Sequence, residues 1–192
     1  MRPVAGVLLA AGAGSRLGQP KALVRLGEMT LAERGVALLR AGGADPLLVV
    51  TGAAPVSLSG VRIVHNPDWE SGMGSSLRAG LGSLADAGVG AAVIALADQP
   101  LVGAEAVRRL IKAFSAGASV AVAAYDGRPR NPVLIAAEHW PDVIASATGD
   151  QGARAFLRAH PDLVTLVDCT GTGTPDDIDT PEDLARLRAH HP

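Results

Sequence analysis

Residues 4–21 read VAGVLLAAGAGSRLGQPK, an apolar run followed by a loop rich in glycine. The run from Val4 to Ala10 is nearly continuous in its apolar character, which is typical of a strand covered on both faces of a sheet. The loop then contains three glycines, Gly12, Gly14 and Gly18. Glycines let backbone N–H groups turn toward a ligand without a Cβ atom in the way, and Arg16 and Lys21 add two cations. The stretch therefore predicts a phosphate-binding loop after a buried strand. The alternative is a tight turn with two solvated charges.

Two common nucleotide-binding motifs are excluded by the spacing in this loop. The dinucleotide fingerprint requires G-x-G-x-x-G, whereas the three glycines here are spaced G-x-G-x-x-x-G. The Walker A motif requires G-K-[ST], whereas Lys21 follows Pro20 and precedes Ala22. The loop thus supports neither a nicotinamide-dependent dehydrogenase nor a P-loop NTPase.

Beyond the loop, apolar runs alternate with helical patterns along the chain. They predict strands at residues 4–10, 46–51, 61–64, 91–97, 119–124, 133–135 and 163–167. They predict helices at residues 75–87, 104–116, 140–147 and 152–160, and a final helix capped at Thr180-Pro181. A further helix opens at Thr30, which forms a capping-box pattern with Glu33, and stops at Gly42–Gly43. Strands that alternate with helices form a mostly parallel sheet, so we predict an α/β fold, a Rossmann-like three-layer sandwich in one domain of residues 1–192.

The composition agrees with a globular domain and excludes several classes of protein. The 192 residues are 48% hydrophobic and 19% charged, which suffices for one full core. The net charge of −2 predicts no nucleic-acid partner. No apolar run approaches the roughly 20 residues that span a bilayer, and glycines interrupt the first run, so neither a membrane segment nor a signal peptide is favoured. The single cysteine, Cys169, excludes an internal disulfide and is compatible with the cytoplasmic location that we expect.

Three pieces of the first loop carry a resemblance, namely Leu9-Ala10-Ala11-Gly12, Ser15-Arg16-Leu17-Gly18 and Pro20-Lys21. They resemble the nucleotidyltransferases of the molybdenum cofactor family, in which this loop wraps a nucleoside triphosphate. The resemblance continues in order through residues 66–67, 72–77, 96–100, 149–154 and 177–183, and it implies a fold of the nucleotide-diphospho-sugar transferase type. Ala11 is similar to the cytidylyltransferase branch, because the guanylyltransferase branch usually has an extra glycine at that position.

Two aspartates stand at places where the sequence favours a ligand. Asp98 directly follows the buried run at 91–97, and the carboxyl ends of strands in open α/β sheets border the ligand crevice. Asp179 precedes Thr180 and Pro181, which suit the start of a helix and leave its carboxylate free. The resemblance implies that Asp98 and Asp179 together hold Mg²⁺, with Asp177 the less favoured ligand. The alternatives are a turn residue and a helix-start residue.

The resemblance also assigns roles to individual residues. It implies that Arg16, Lys21 and Asp98 are catalytic. The nucleotide-binding residues that it implies are Leu9, Ala10, Ala11, Gly12, Gly14, Ser15, Arg16, Lys21, Asn66 and Ser76. The acceptor-binding residues that it implies are Gln99, Asn131, Gly152 and Arg154. Ser75 and Ser76 also suit the start of a helix as caps. Members of the family often have Gly or His just before the Pro-Val pair at 132–133, whereas this chain has Arg130 and Asn131, which leaves the acceptor open.

The resemblance implies transfer of CMP from CTP to a phosphorylated acceptor, with release of pyrophosphate. By the resemblance, the acceptor is molybdenum-bound molybdopterin, and a molybdenum enzyme receives the product. The nucleophile is a phosphate oxygen that is already ionised at neutral pH, so no general base is expected. Three alternatives stay open: guanylyl transfer, activation of a sugar or polyol phosphate, and a carrier of the molybdenum cofactor without turnover. Lys21, Asp98 and Asp179 favour catalysis, because a carrier needs no metal ligands.

Overall fold

The computed structural model describes residues 2–190, which contain a seven-stranded sheet and a small two-stranded one. The strands are β1 (Val4–Ala10), β2 (Arg25–Leu26), β3 (Met29–Thr30), β4 (Leu47–Thr51), β5 (Arg62–His65), β6 (Ala91–Leu96), β7 (Val120–Tyr125), β8 (Arg128–Ala136) and β9 (Val164–Asp168). The large sheet has the order β5-β4-β1-β6-β8-β7-β9, and β2 pairs with β3. Strand β8 is antiparallel to both neighbours, and the other pairs of the large sheet are parallel. The predicted mostly parallel sheet is confirmed. The predicted domain of residues 1–192 also includes residues 1, 191 and 192, which lie outside the described part.

Six α-helices lie in the described part of the chain: α1 (Leu31–Ala41), α2 (Met73–Gly82), α3 (Ala104–Ser115), α4 (Trp140–Ser146), α5 (Arg154–Ala159) and α6 (Pro181–His190). Two buried clusters cover the two faces of the sheet. One contains Leu39 of α1 and Leu110 of α3, and the other contains Leu81 of α2 and Val143 of α4. The predicted three-layer α/β fold is therefore confirmed. None of the helices described is long and apolar enough to cross a membrane.

Strand β1 shows why the first apolar run belongs at the centre of this sheet. All seven of its residues are buried. Leu8 packs into the cluster on one face and Leu9 into the cluster on the other, as the two-residue period of a strand requires. Strands β4 and β6 flank it in parallel. The carboxyl ends of β1 and β6 thus open side by side at one edge of the sheet.

Helix caps agree with the sequence in two cases and differ in a third. Thr30 and Glu33 form the predicted capping box of α1, with Glu33 N–H donating to Thr30 Oγ1 over 3.2 Å. Thr180 caps α6 in the same way, because its hydroxyl accepts from Asp183 N–H over 3.2 Å. The predicted caps of α2, Ser75 and Ser76, are wrong.

Helix α2 begins at Met73, two residues before the predicted start, and ends at Gly82 instead of residue 87. Its N-cap is Gly72, whose φ of 107° is accessible to glycine and strained for other residues. The Ser75 hydroxyl donates backward to the carbonyl oxygens of Gly72 and Asp68, over 2.8 and 2.9 Å. Ser75 therefore ties the preceding loop to the first turn of the helix.

Candidate active site

The glycine-rich loop after β1 folds back on itself. Leu17 N–H donates to the Gly14 carbonyl over 2.8 Å, and Lys21 N–H donates to the Gly12 carbonyl over 3.4 Å. Gly14 has a φ of +62°, and a Cβ atom there would lie 2.1 Å from the Gln19 carbonyl oxygen. In the part of the chain that is described, no group accepts a hydrogen bond from the backbone N–H groups of residues 12–16. The loop thus offers unused donors of the kind that bind phosphate oxygens.

Gly14→Ala should lower the free energy of unfolding by about 2 kcal/mol, because the side chain adds a clash to an unfavourable φ. Chemical denaturation followed by circular dichroism measures the change. Gly12→Ala is the matched control, since a Cβ atom at Gly12 meets nothing within 4 Å. Equal stability of the two variants would contradict the loop geometry described above.

Lys21 joins the two aspartates that the sequence singled out. Its Nζ donates to Asp98 Oδ2 over 2.7 Å and to Asp179 Oδ1 over 2.5 Å. Asp98 lies just beyond β6, and Asp179 lies just before α6. Arg16 is more distant, with 3.5 Å between its guanidinium and Asp179 Oδ2 and 71% of its side chain exposed. The structure therefore brings the three predicted catalytic residues together: Lys21 contacts Asp98 directly, and Arg16 and Lys21 both face Asp179.

The two carboxylates favour the charged form of Lys21. Burial works against the charge on Lys21, but the carboxylates of Asp98 and Asp179 outweigh it and raise the pKa of Lys21 above its ordinary value. The second oxygen of Asp98, Oδ1, is buried and has no hydrogen-bond partner within the described residues. A buried carboxylate oxygen without a partner is costly, so it has a free coordination position for a cation or a donor group.

A cavity of about 350 Å³ opens between the glycine-rich loop and the start of α2. Seven predicted nucleotide-binding residues line it, namely Leu9, Ala10, Ala11, Gly12, Ser15, Lys21 and Ser76, together with Asp98. Its other lining residues, which we did not single out as binding residues from the sequence, are Ala13, Trp69, Glu70, Gly72, Met73, Leu96, Ala97 and Asp150. Residues 69–72 and 150 belong to glycine-containing segments between the strands and helices, and a Cβ atom on Gly72 would lie 2.5 Å from the Gly149 carbonyl carbon. The glycines at positions 72 and 149, which permit this close approach of two backbones, are the sequence signal that could have indicated this side of the cavity.

Three predicted nucleotide-binding residues lie outside the cavity lining. Gly14 shapes the loop from behind, and Arg16 projects into solvent at its rim. Asn66 is 3% exposed, and its amide nitrogen donates to the hydroxyls of Ser75 and Ser76 over 2.8 and 3.0 Å. Asn66 thus orients Ser76 toward the cavity from the buried side.

A second, larger groove of about 820 Å³ contains three of the four predicted acceptor-binding residues, Gln99, Asn131 and Arg154. Its floor is apolar, and its polar lining also includes Arg130, Arg158, Asp176 and Asp177. The guanidinium groups of Arg130 and Arg154 have no hydrogen-bond or ion-pair partner within the described part of the chain. Gly152 does not line the groove. A Cβ atom on it would lie 3.0 Å from Met73 Sδ, in the wall of the first cavity.

Comparison with known proteins agrees with this geometry. The model of the MobA-like NTP transferase domain matches residues 6–164. The chain belongs to the MobA-like NTP transferase family. A nicotine blue oxidoreductase of Paenarthrobacter nicotinovorans is 41% identical over 96% of both chains. A molybdenum cofactor guanylyltransferase of Rhodobacter capsulatus is 32% identical over 95% of this chain and 94% of its own length. The purine catabolism protein PucB of Bacillus subtilis is 28% identical over 95% of both chains.

Several solved structures superpose over almost the whole chain. A homologue of Mycobacterium tuberculosis Rv0371c, from Mycobacterium sp. strain JC1, is 34% identical with a TM-score of 0.85, covering 97% of this chain and 96% of its own. A complex of M. tuberculosis Rv0371c with manganese is 26% identical with a TM-score of 0.81, covering 97% and 98%. The 2-C-methyl-D-erythritol 4-phosphate cytidylyltransferase of Thermus thermophilus, 21% identical over 98% of both chains with a TM-score of 0.72, shows the shared fold.

In this MobA-like chain, Gln99 connects the end of β6, beside Asp98, to the segment of residues 175–179, which carries Asp179. Its Nε2 donates to the Pro175 carbonyl over 3.1 Å and to Asp177 Oδ1 over 2.8 Å. Beside it, Ile178 N–H donates to the Asp98 carbonyl over 2.8 Å. Desolvation raises the pKa of Asp177, and its carboxylate accepts from Gln99, so it is less available to a cation than Asp179 is. Gln99 is therefore a positioning residue that fixes the segment carrying Asp179 against the end of β6.

At a Mg²⁺ site formed by Asp98 and Asp179, as the resemblance implies, Gln99→Met should raise the Mg²⁺ concentration required for half-maximal turnover by about 10-fold, as loss of outer-shell support does at metal sites. The segment of residues 175–179 loses both side-chain bonds, while the shape of residue 99 is nearly kept. Turnover measured across a Mg²⁺ titration tests this, and the rate should recover at saturating Mg²⁺. Lower thermal stability with an unchanged Mg²⁺ requirement would instead indicate a structural role alone.

Proposed function

We propose that the protein transfers CMP from CTP to a molybdopterin-type acceptor and releases pyrophosphate. Membership of the MobA-like NTP transferase family supports the transfer of a nucleotide. The relative named molybdenum cofactor guanylyltransferase supports the class of acceptor. The choice of CTP is supported by the sequence Ala10-Ala11-Gly12 at the start of the loop. A molybdenum enzyme is the proposed recipient of the product.

One observation carries the proposal: Lys21 bridges Asp98 and Asp179 beside a loop in which the N–H groups of residues 12–16 have no acceptor among the described residues. Nucleotidyl transfer requires cations and backbone donors where charge develops on the phosphoryl oxygens. The loop, Lys21 and Arg16 supply both. The adjoining groove, with Arg130 and Arg154 unpaired, provides room for an anionic second substrate.

The carboxylate pair fits a divalent cation. Mg²⁺ takes one or two protein carboxylates and completes its coordination with waters and phosphate oxygens. Asp98 and Asp179 would hold it, and the buried, unpartnered Oδ1 of Asp98 is a suitable donor. Within the described residues no cluster of three or more acidic, His or Cys side chains offers another metal site. The manganese complex of the 26% identical mycobacterial protein also supports a divalent cation here. When bound, such an ion supplies charge neutralisation at the phosphates.

One set of residues binds CTP and another set binds the acceptor. The N–H groups of residues 12–16 bind the phosphates of CTP, and Lys21 and Arg16 neutralise their charge. The groove residues orient the acceptor so that its phosphate oxygen faces the α-phosphorus. That oxygen forms the new P–O bond while the bond between the α- and β-phosphates breaks, and pyrophosphate leaves with the electron pair. No protein base is required, because the attacking phosphate is ionised at neutral pH.

A pyrophosphate-release panel tests the proposal. It combines CTP, GTP, ATP or UTP with Mg²⁺, each with and without molybdopterin. Release with CTP only, and only with the acceptor present, is the expected result. Release with GTP would keep the roles of Lys21 and Asp98 and overturn our interpretation of Ala11. Tight binding of the acceptor without any release would identify a carrier.

Arg130→Ala should raise the KM for the acceptor by about 10-fold and leave the KM for CTP unchanged, because a charge-assisted contact in the groove is lost. Arg128→Ala is the matched control, since Arg128 lies on the same strand but does not line the groove. Steady-state rates measured against acceptor concentration give both constants. Equal effects of the two substitutions would contradict binding of the acceptor in the groove.

A second candidate function follows from the relative that is 41% identical and named nicotine blue oxidoreductase. The corresponding reaction here would be oxidation or reduction of nicotine blue, and the reductant that we propose to test is a reduced nicotinamide nucleotide. The glycine-rich loop could bind the phosphates of that nucleotide, although it lacks the dinucleotide fingerprint. Bleaching of nicotine blue with NADH or NADPH, without release of pyrophosphate in the panel above, would favour this function over nucleotidyl transfer.

A further inference from the structure

We propose that the ammonium of Lys21 and a divalent cation compete for the same two carboxylates, so that the protein takes up the cation only as a nucleotide draws Lys21 away. In the absence of substrate, the Lys21 ammonium then neutralises the two carboxylates and keeps them close together. The inference rests on the proposed function, because it concerns the cation that nucleotidyl transfer requires. It goes further by making the binding of nucleotide and cation mutually dependent.

The contacts of Lys21 carry this inference. Its Nζ lies within 2.7 Å of both carboxylates and donates to one oxygen of each. All three side chains are largely shielded from solvent, with exposed fractions of 19% for Lys21, 21% for Asp98 and 35% for Asp179. A hard cation binds carboxylate oxygens directly. The remaining oxygen of Asp98, Oδ1, is unpartnered, but a divalent cation that bridges both carboxylates comes close to the Lys21 ammonium and is repelled by it. Departure of Lys21 therefore favours the cation.

The carboxylates are held in place by bonds that do not involve Lys21. Ile178 N–H donates to the Asp98 carbonyl over 2.8 Å, and Asp179 N–H donates to Asp183 Oδ2 over 3.1 Å. The backbone on both sides is thus fixed against the sheet and against α6. Departure of Lys21 leaves two negative charges facing one another, which favours replacement by another cation.

The nucleotide gives Lys21 an alternative partner. Lys21 belongs to the glycine-rich loop, and its N–H already donates to Gly12 in the wall of the cavity. Its flexible four-carbon stem allows the ammonium to turn from the carboxylates to a triphosphate without movement of the backbone. By thermodynamic linkage, a nucleotide that removes Lys21 tightens cation binding, and the cation tightens nucleotide binding by the same factor.

Binding of Mn²⁺ to the full chain without nucleotide tests the exchange, with free Mn²⁺ measured by electron paramagnetic resonance. Lys21→Met keeps the length of the side chain and removes its charge, so this variant should bind Mn²⁺ at least about 10-fold more tightly than the unaltered protein. The chain's other lysine, Lys112, is exposed on α3 and provides the matched control, Lys112→Met. Its Mn²⁺ affinity should equal that of the unaltered protein.

The same titration with CTP separates the outcomes. CTP should tighten Mn²⁺ binding at least about 10-fold in the unaltered protein and much less in Lys21→Met. Mn²⁺ affinity in Lys21→Met that is equal to or weaker than in the unaltered protein would overturn the exchange and leave the proposed function standing. No Mn²⁺ binding by the unaltered protein with any nucleoside triphosphate would overturn the proposed function, and the exchange with it.

A second measurement needs no variant. Because the chain has two lysines, ¹⁵N NMR of the lysine ammonium groups gives a simple spectrum of the unaltered protein. The Lys21 signal should shift when Mg²⁺ and CTP are added together, and the Lys112 signal should stay. A Lys21 signal that does not move while CTP binds would also overturn the exchange.

Discussion

Asp98→Asn should reduce pyrophosphate release by about 1,000-fold or more, which corresponds to roughly 4 kcal/mol of transition-state stabilisation. The substitution keeps the size of the side chain but removes the charge that would hold Mg²⁺ and that now pairs with Lys21 over 2.7 Å. It also leaves a neutral amide where a negatively charged ligand for the cation is required, and asparagine is a poor substitute for a carboxylate at a hard cation. Steady-state release of pyrophosphate at saturating CTP measures the effect.

The fold should survive this substitution. The Asp98 backbone keeps its bond from Ile178 N–H, and Lys21 keeps its bond to Asp179. Circular dichroism and thermal unfolding check this point. Asp86→Asn is the control and should leave the rate unchanged, because Asp86 is exposed and lines neither cavity. Near-normal activity of Asp98→Asn would show that the carboxylate has no part in the reaction.

The sequence predicts the parts of this fold in which local signals and the period of the apolar residues agree. The buried strand β1 has the predicted bounds, Val4–Ala10. The capping box of Thr30 and Glu33 fixes the start of α1, and Thr180 fixes the start of α6. In each case the decisive interaction joins residues close in sequence, so a single chain segment contains the whole signal.

The missed features depend on partners that are distant in sequence or on unusual backbone angles. The sequence predicts a strand at residues 133–135, whereas β8 spans Arg128–Ala136 and pairs with β7. Its first half contains prolines and arginines, and the hairpin with β7 provides the pairing that the side chains do not indicate. Helix α2 begins early because Gly72 adopts a positive φ, which no apolar pattern reveals.

For the site, the sequence indicates the residues better than their arrangement. The resemblance implies Lys21 on the phosphates and Asp98 with Asp179 on Mg²⁺. Those roles stay predictions, and the structure adds that Lys21 contacts both aspartates, across 77 and 158 positions of the chain. Contacts over such distances follow from the strand order, which places the end of β6 beside the loop after β1. Gln99 could likewise not be recognised as a positioning residue before the segment at 175–178 was placed against it.

Lys21→Ala should lower kcat/KM for CTP by at least about 100-fold, because a preorganised cation in a shielded site stabilises charge on the phosphates as pyrophosphate departs. The raised pKa of Lys21 keeps the ammonium charged at neutral and mildly alkaline pH, so the loss should be the same throughout that range. Rates at varied CTP and pH measure the effect, and Lys112→Ala is the control.

Combining Lys21→Ala with Asp98→Asn should cost little more than the more damaging single substitution, because residues that act as one unit are strongly non-additive. If the fold-loss of the double variant equalled the product of the two single fold-losses, Lys21 and Asp98 would act independently. A loss of kcat/KM smaller than about 10-fold for Lys21→Ala alone, or roughly 1.4 kcal/mol, would show that Lys21 has no part in turnover.

Lys21→Arg distinguishes charge from shape: it keeps the positive charge, but its planar guanidinium cannot replace the compact ammonium between Asp98 and Asp179. Partial activity in this variant would therefore assign the remaining loss to geometry.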